Sequence, residues 1–135
     1  MRLDIGCGNT PSGDINVDLP KSDRHRGGRK LMVKMIPNFA YGSTYNLPFC
    51  DNVFDEVVSY HLLEHMEVPL AVLKEMVCVS KDAVTVVVPA FAFRGECGEH
   101  LHTWGEVVFS TYFARPDSKM LKYLPDASEK SKEIF

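Results

Sequence analysis

A glycine turn set directly behind a short apolar strand constrains this chain more than any other feature. "RLDI" is strand-like and runs straight into "GCGN", and "DINVDL" follows as a second strand rich in Ile and Val. Asp18, near the end of that strand, lies only ten residues after Gly8, which leaves no room for an ordinary crossover helix. A G-x-G behind a strand lets backbone approach a ligand closely, because no side chain intervenes. Asp18 has the chemistry to accept hydrogen bonds from both hydroxyls of a ribose. Together they point to a nucleoside-bearing ligand; the plain alternative is a tight turn and an exposed aspartate. The dinucleotide fingerprint G-x-G-x-x-G, with an acid about 20 residues further on, is not met. A pyrophosphate also wants a helix N-terminus, so a cofactor without phosphates fits this spacing better.

The rest of the pattern extends the sheet. "LMVKMIPNFAYGS" holds a short helix or strand and then a strand through "NFAYG", and "LPFCDNVF" reads as a turn. "FDEVVSY" is strand-like, with Val57 and Val58 its buried kernel. "PLAVLKEMVCVS" reads as a helix, with Pro69 in its first turn and Leu70, Leu73, Met76 and Val77 at helical spacing. "AVTVVVP" is nearly all apolar, as in a strand buried on both faces. A later helix is expected over "TWGEVVFSTYFA", "SKMLKYL" is the one further strand candidate, and "SEKSKEIF" is a polar, frayed tail. The order predicts an α/β fold: an open, mostly parallel sheet of Rossmann-like type with helices on its faces.

At 135 residues the chain is sized for one domain, 1–135, around one core. It is 45% hydrophobic and 24% charged, and no apolar run approaches the ~20 residues of a membrane helix. The start "MRLDIGCGN" does not read as a signal peptide, so an intracellular, cytoplasmic protein is expected. Cys7, Cys50, Cys78 and Cys97 form no C-x-x-C pair, which argues against a zinc ribbon or redox motif. The net charge of -3 hides an asymmetry: residues 1–50 hold seven Lys/Arg against four Asp/Glu, and residues 51–118 hold four against eleven. A global nucleic-acid footprint is therefore absent.

"LDIGCGN", "INVDL", "LPFCDNVFDEVVSYHLLEHM" and "VTVVVP", in that order, resemble class I S-adenosylmethionine-dependent methyltransferases across residues 3–90. The resemblance implies S-adenosylmethionine as cofactor. Asp4, Gly6, Cys7 and Gly8 match the loop that holds its methionine part. Asp18 matches the acid that binds the ribose hydroxyls, and Leu19 beside it the residue that packs on adenine. Ser43 and Thr44 match the pair that reads the adenine edge, although relatives usually carry an aspartate at Ser43. Asp55 matches the acid opening the fourth strand, and Tyr60 and His61 match positions near the methyl group. The pattern departs from the family in lacking N-terminal helices, in a first crossover helix cut to a turn, and in reduced C-terminal strands. A minimal domain of this kind has a bare sheet edge that a homodimer would cover.

"HLLEH", residues 61–65, also fits the inverted zincin pattern. That chemistry needs a helix carrying both histidines and a third protein ligand, for which the strand before it leaves little room. No metal is expected. His61 is a candidate catalytic residue at a strand end, and His65 is read as structural. His100 and His102 in "GEHLHTW" form a second cluster, where His102 could serve as a general base or lie in a solvated loop anchored by Trp104. The basic run at residues 21–30, with Lys21, Arg24, His25, Arg26, Arg29 and Lys30, could grip nucleic-acid phosphates but has no aromatic residue to stack a base. The expected activity is methyl transfer by in-line displacement to an acceptor the sequence does not name. The alternative is a non-catalytic cofactor-binding, nucleic-acid-binding or assembly module.

Overall fold

The structure is a computed structural model that describes residues 1–19, 30–89 and 120–125. Among the described residues six short strands form: β1 Arg2–Ile5, β2 Ile15–Asp18, β3 Phe39–Tyr41, β4 Phe54–Tyr60, β5 Ser80–Val88 and β6 Met120–Pro125. They build one sheet in the order β3-β2-β1-β4-β5-β6. Every neighbouring pair is parallel. The strand order reverses between β1 and β4, which opens a crevice at their carboxyl ends. The segment "SKMLKYL" does supply a strand, beside β5 at one edge of the sheet.

Parallel pairing sets the faces. Leu3 stands beside Ile15 and Val57, and Val57 beside Val84, so these side chains share one face. Helix α1, Pro69–Val79, covers that face with Val72, Leu73, Met76 and Val79. Leu3, Ile5, Val17, Val57 and Val86 beneath it are fully buried. Of the stripe Leu70, Leu73, Met76 and Val77 that helical spacing suggested, Leu73 and Met76 are buried and Val77 packs against the core, whereas Leu70 is 40% exposed. The phase is set at the helix end, where buried Val79 leads directly into Ser80 and β5.

The opposite face is polar, which the apolar run of β5 did not suggest. Asp4 stands beside Asn16 and Val58, and Val58 beside Thr85. On this face Thr85 Oγ1 donates to Glu56 Oε1 (2.9 Å), Arg2 Nε approaches Glu56 Oε2 (3.6 Å), and Arg2 Nη2 donates to Tyr60 Oη (2.7 Å).

No helix separates β1 from β2. Residues 6–14 form turns instead, held by Gly6 N and Cys7 N donating to Val17 O (2.8 and 3.2 Å). Buried Asn16 stitches this connection. Its Oδ1 accepts from Gly13 N (3.0 Å), and its Nδ2 donates to Gly13 O (3.0 Å) and Pro37 O (2.9 Å). The expected later helix, the basic run up to Arg29, the His100–His102 cluster and the polar tail lie outside the described residues.

Candidate functional site

The crevice at the carboxyl ends of β1, β2 and β4 holds a cavity of about 480 Å³. This is within the roughly 300–1,000 Å³ of small-molecule sites. One wall is the turn after β1, with Gly6, Cys7 and Gly8. Asp18 and Leu19 at the end of β2 make a second wall, and Tyr60, His61, Leu62, His65 and Met66 after β4 a third. Asp4 lines the floor.

Gly6 and Gly8 both take positive φ, +67° and +53°. The two positions differ in what surrounds them. A Cβ on Gly6 would sit 2.8 Å from Leu62 Cδ1, so the glycine lets the turn after β4 dock against the loop. A Cβ on Gly8 would meet nothing within 4 Å; here the glycine serves the backbone conformation.

Asp4 is 1% exposed. Its Oδ2 accepts from Ser12 N (2.8 Å) and Ser12 Oγ (2.9 Å), while its Oδ1 has no hydrogen-bond partner. Burial pushes the carboxyl above its ordinary value, opposed by the bonds from Ser12. A buried carboxylate oxygen without a donor, in a cavity wall, is where a ligand cation or N–H group gains most. Asp18 accepts from Gly8 N at Oδ2 (2.8 Å) and from its neighbour Leu19 N at Oδ1 (2.7 Å).

Past β4 the chain turns sharply. His61 has φ +53°, a conformation that costs a non-glycine residue of order 1–2 kcal/mol. Its N–H donates to Val87 O (2.9 Å). A single 3-10 turn, Leu63–His65, follows. It buries Leu63 completely and Glu64 to 1% exposure. Glu64 Oε1 faces His61 Nδ1 at 3.4 Å. "HLLEH" therefore does not form the helix a zincin needs. Among the described residues no group of three or more His, Cys, Asp or Glu is arranged to hold a metal ion.

A family model described as a methyltransferase domain matches residues 3–88, which include the cavity walls. This chain belongs to the class I S-adenosylmethionine-dependent methyltransferase family. It is 34% identical over 101 residues to an uncharacterized methyltransferase of Schizosaccharomyces pombe, covering 58% of this chain and 35% of the relative. It is 32% identical over 95 residues to a demethylmenaquinone methyltransferase of Paenarthrobacter aurescens, covering 68% of this chain and 37% of the relative. The chain thus spans about a third of the length of these curated relatives. The fold is similar to the putative methyltransferase solved in complex with the Haloferax volcanii Trm112 methyltransferase activator. That match has a TM-score of 0.57 at 17% identity and covers 84% of this chain and 58% of the other.

In this methyltransferase-family domain the cavity brings together Asp4, Gly6, Cys7, Gly8, Asp18, Leu19, Tyr60 and His61, all of which the sequence had singled out. Ser43 and Thr44 stand outside its wall. Ser43 is exposed and bridges to Asn46, whereas Thr44 is buried and donates to Met66 Sδ (3.5 Å), which does line the cavity. Asp55 is remote from the cavity, exposed, and paired with the N-terminal ammonium and with Lys81 (3.9 Å). His102 lies outside the described residues. Sequence reasoning missed the burial of Glu64, the donorless oxygen of Asp4, and Gly13, where a Cβ would stand 2.4 Å from Ile15 O. Gly13 carried a legible signal, a third glycine before the second strand. Glu64 carried none.

Among the described residues no helix is long and apolar enough to cross a membrane.

Proposed function

We propose that this chain binds S-adenosylmethionine in the β1–β2–β4 cavity and catalyses transfer of its methyl group to a nucleophile. The observation that carries the reading is the pairing of two carboxylates around one cavity: buried Asp4 with a donorless oxygen, and Asp18 at the end of β2 on the facing wall. They fit the two polar ends of this cofactor. Asp4 Oδ1 suits the ammonium of the methionine part, and Asp18 suits the ribose hydroxyls. Gly6, Cys7 and Gly8 bring backbone to the ligand, and Leu19 offers apolar surface for the base. No helix N-terminus follows the glycine turn, so the site lacks the usual cradle for a pyrophosphate.

When bound, the cofactor supplies a methyl group already activated by a sulfonium, which departs as a neutral thioether. The protein's part is alignment and exclusion of water. Tyr60, on the cavity wall, presents an aromatic face suited to a cation. His61, beside it, is placed to take a proton from the acceptor.

Equilibrium dialysis with radiolabelled S-adenosylmethionine tests the cofactor assignment. Saturable retention that S-adenosylhomocysteine competes away, and NAD does not, is the expected result. No retention, or equal competition by NAD, contradicts it.

A further inference from the structure

We propose that Glu64 is a positioning residue for His61: its buried carboxylate holds Nδ1–H, which makes Nε2 the basic nitrogen offered to the methyl acceptor. The inference rests on the reading of the cavity as a methyl-transfer site, and it names the kind of acceptor that site serves.

Glu64 is the only buried glutamate among the described residues, at 1% exposure. Neither of its carboxylate oxygens has a hydrogen-bond partner. A carboxylate shut away from water is destabilising unless a cation or donor answers it. The group that faces it is the imidazole of His61, with Nδ1 3.4 Å from Oε1. The approach is looser than a formed hydrogen bond, as catalytic pairs often are before substrate arrives.

The backbone is built to make this pair. His61 adopts φ +53°, a strained conformation that reverses the chain at the end of β4. The 3-10 turn then closes through His65 N to Leu62 O (3.0 Å) and Met66 N to Leu63 O (3.2 Å). That closure carries Glu64 back beneath the ring. Leu62, between the two, packs on Gly6 of the glycine loop, so the pair is registered against the proposed cofactor wall. The histidine is half-exposed in the cavity and its partner is sealed: side-chain exposures are 45% and 1%. A buried acid that orients a cavity-facing histidine is a recurrent arrangement for proton abstraction.

The chemistry selects the acceptor. A nucleophile that already holds a free lone pair and keeps no proton needs no base. A protic one, such as a hydroxyl, a phenol or an N–H, must lose its proton. In that step a lone pair on X would form the new bond to the methyl carbon as the carbon–sulfur bond breaks with its pair left on sulfur, while the X–H bond breaks with its electrons kept on X and its proton goes to His61 Nε2. The imidazolium so formed is stabilised by the carboxylate of Glu64. We therefore assign the acceptor to this protic class.

The test is the tautomer of His61, read by 15N NMR of the imidazole in the free protein, at a pH where the ring is neutral. Wild type is expected to carry its proton on Nδ1. Glu64→Gln keeps an acceptor and should keep that tautomer. Glu64→Met removes it, and the proton should move to Nε2, with the two nitrogen shifts exchanging between the pyrrole-like and pyridine-like ranges. A wild-type ring protonated on Nε2 overturns the proposal, as does a Glu64→Met protein with the tautomer unchanged. Should Glu64→Met fail to fold, wild type and Glu64→Gln alone still decide. S-adenosylhomocysteine titrated into the same samples is read separately. Loss of binding in all of them would overturn the cofactor reading, and with it the acceptor assignment, without touching the tautomer result.

Discussion

The backbone N–H of Gly8 donates to Asp18 Oδ2 at 2.8 Å, so the acid that ends β2 also pins the loop that follows β1. One side chain thus shapes two walls of the cavity. The loop needs such a pin because no crossover helix lies behind it to hold it in place.

The glycines of this connection are expected to differ sharply in their tolerance of a methyl group. Gly13→Ala would drive a Cβ to 2.4 Å from Ile15 O and 2.7 Å from Asp4 N, both backbone atoms of adjacent strands. Relief requires the strands to shift, at about 3 kcal/mol. Gly8→Ala meets open space and bears only the cost of positive φ, about 1 kcal/mol. Urea denaturation of the two variants checks the ranking, and the reverse order would contradict this account of the turn.

Asn16 is expected to behave as a structural hub. Replacement by Leu keeps the volume but strips partners from Gly13 N, Gly13 O and Pro37 O, in bonds that are partly buried. A loss of about 2–4 kcal/mol is expected, from backbone groups left unsatisfied. A loss under about 0.5 kcal/mol would mean that water replaces the amide without penalty.

Asp4 should cost the free protein stability and contribute to binding. Its folded pKa is raised above 3.8, chiefly by burial, so the native state holds the proton more tightly than the unfolded state. Its ionised form is therefore unfavourable in the fold. That penalty is absent below 3.8, grows as pH rises through the raised native value, and then levels off. Asp4→Asn removes it. The melting temperature of Asp4→Asn relative to wild type should rise across that window and then stay constant. A gap that shrinks with rising pH would contradict the assignment. The amide oxygen of the variant must serve the two donors of Ser12, which turns its NH2 toward the cavity. That group would face the cofactor's ammonium, so S-adenosylmethionine affinity should fall roughly ten- to a hundredfold.

Much of this was legible because some residues have few alternative uses. Asp18 follows Gly8 by only ten positions, a spacing that leaves no room for an ordinary crossover helix. The valines of "FDEVVSY" and "AVTVVVP" admit little besides buried strands, and they formed β4 and β5. What stayed hidden depends on three-dimensional closure. Glu64 is an unremarkable acid in sequence; only the reversal at His61 and the 3-10 turn bury it. The polar face carrying Arg2, Glu56 and Thr85 was masked because β5 reads as uniformly apolar, and a single threonine does not reveal which face it joins. The stripe of α1 was legible at Leu73, Met76 and Val77, and Leu70 in the first turn falls outside it because spacing fixes a helical stripe only to within a residue or so. The junction at Val79 and Ser80 fixes it fully.

The most direct measurement is calorimetric titration of S-adenosylhomocysteine into wild type and Asp18→Ala. Binding by wild type, weakened about ten- to a hundredfold in the variant, is predicted from the loss of charge-assisted bonds to the ribose and of the pin on Gly8. No binding by wild type, or equal binding by both proteins, would contradict the assignment of this cavity to the cofactor.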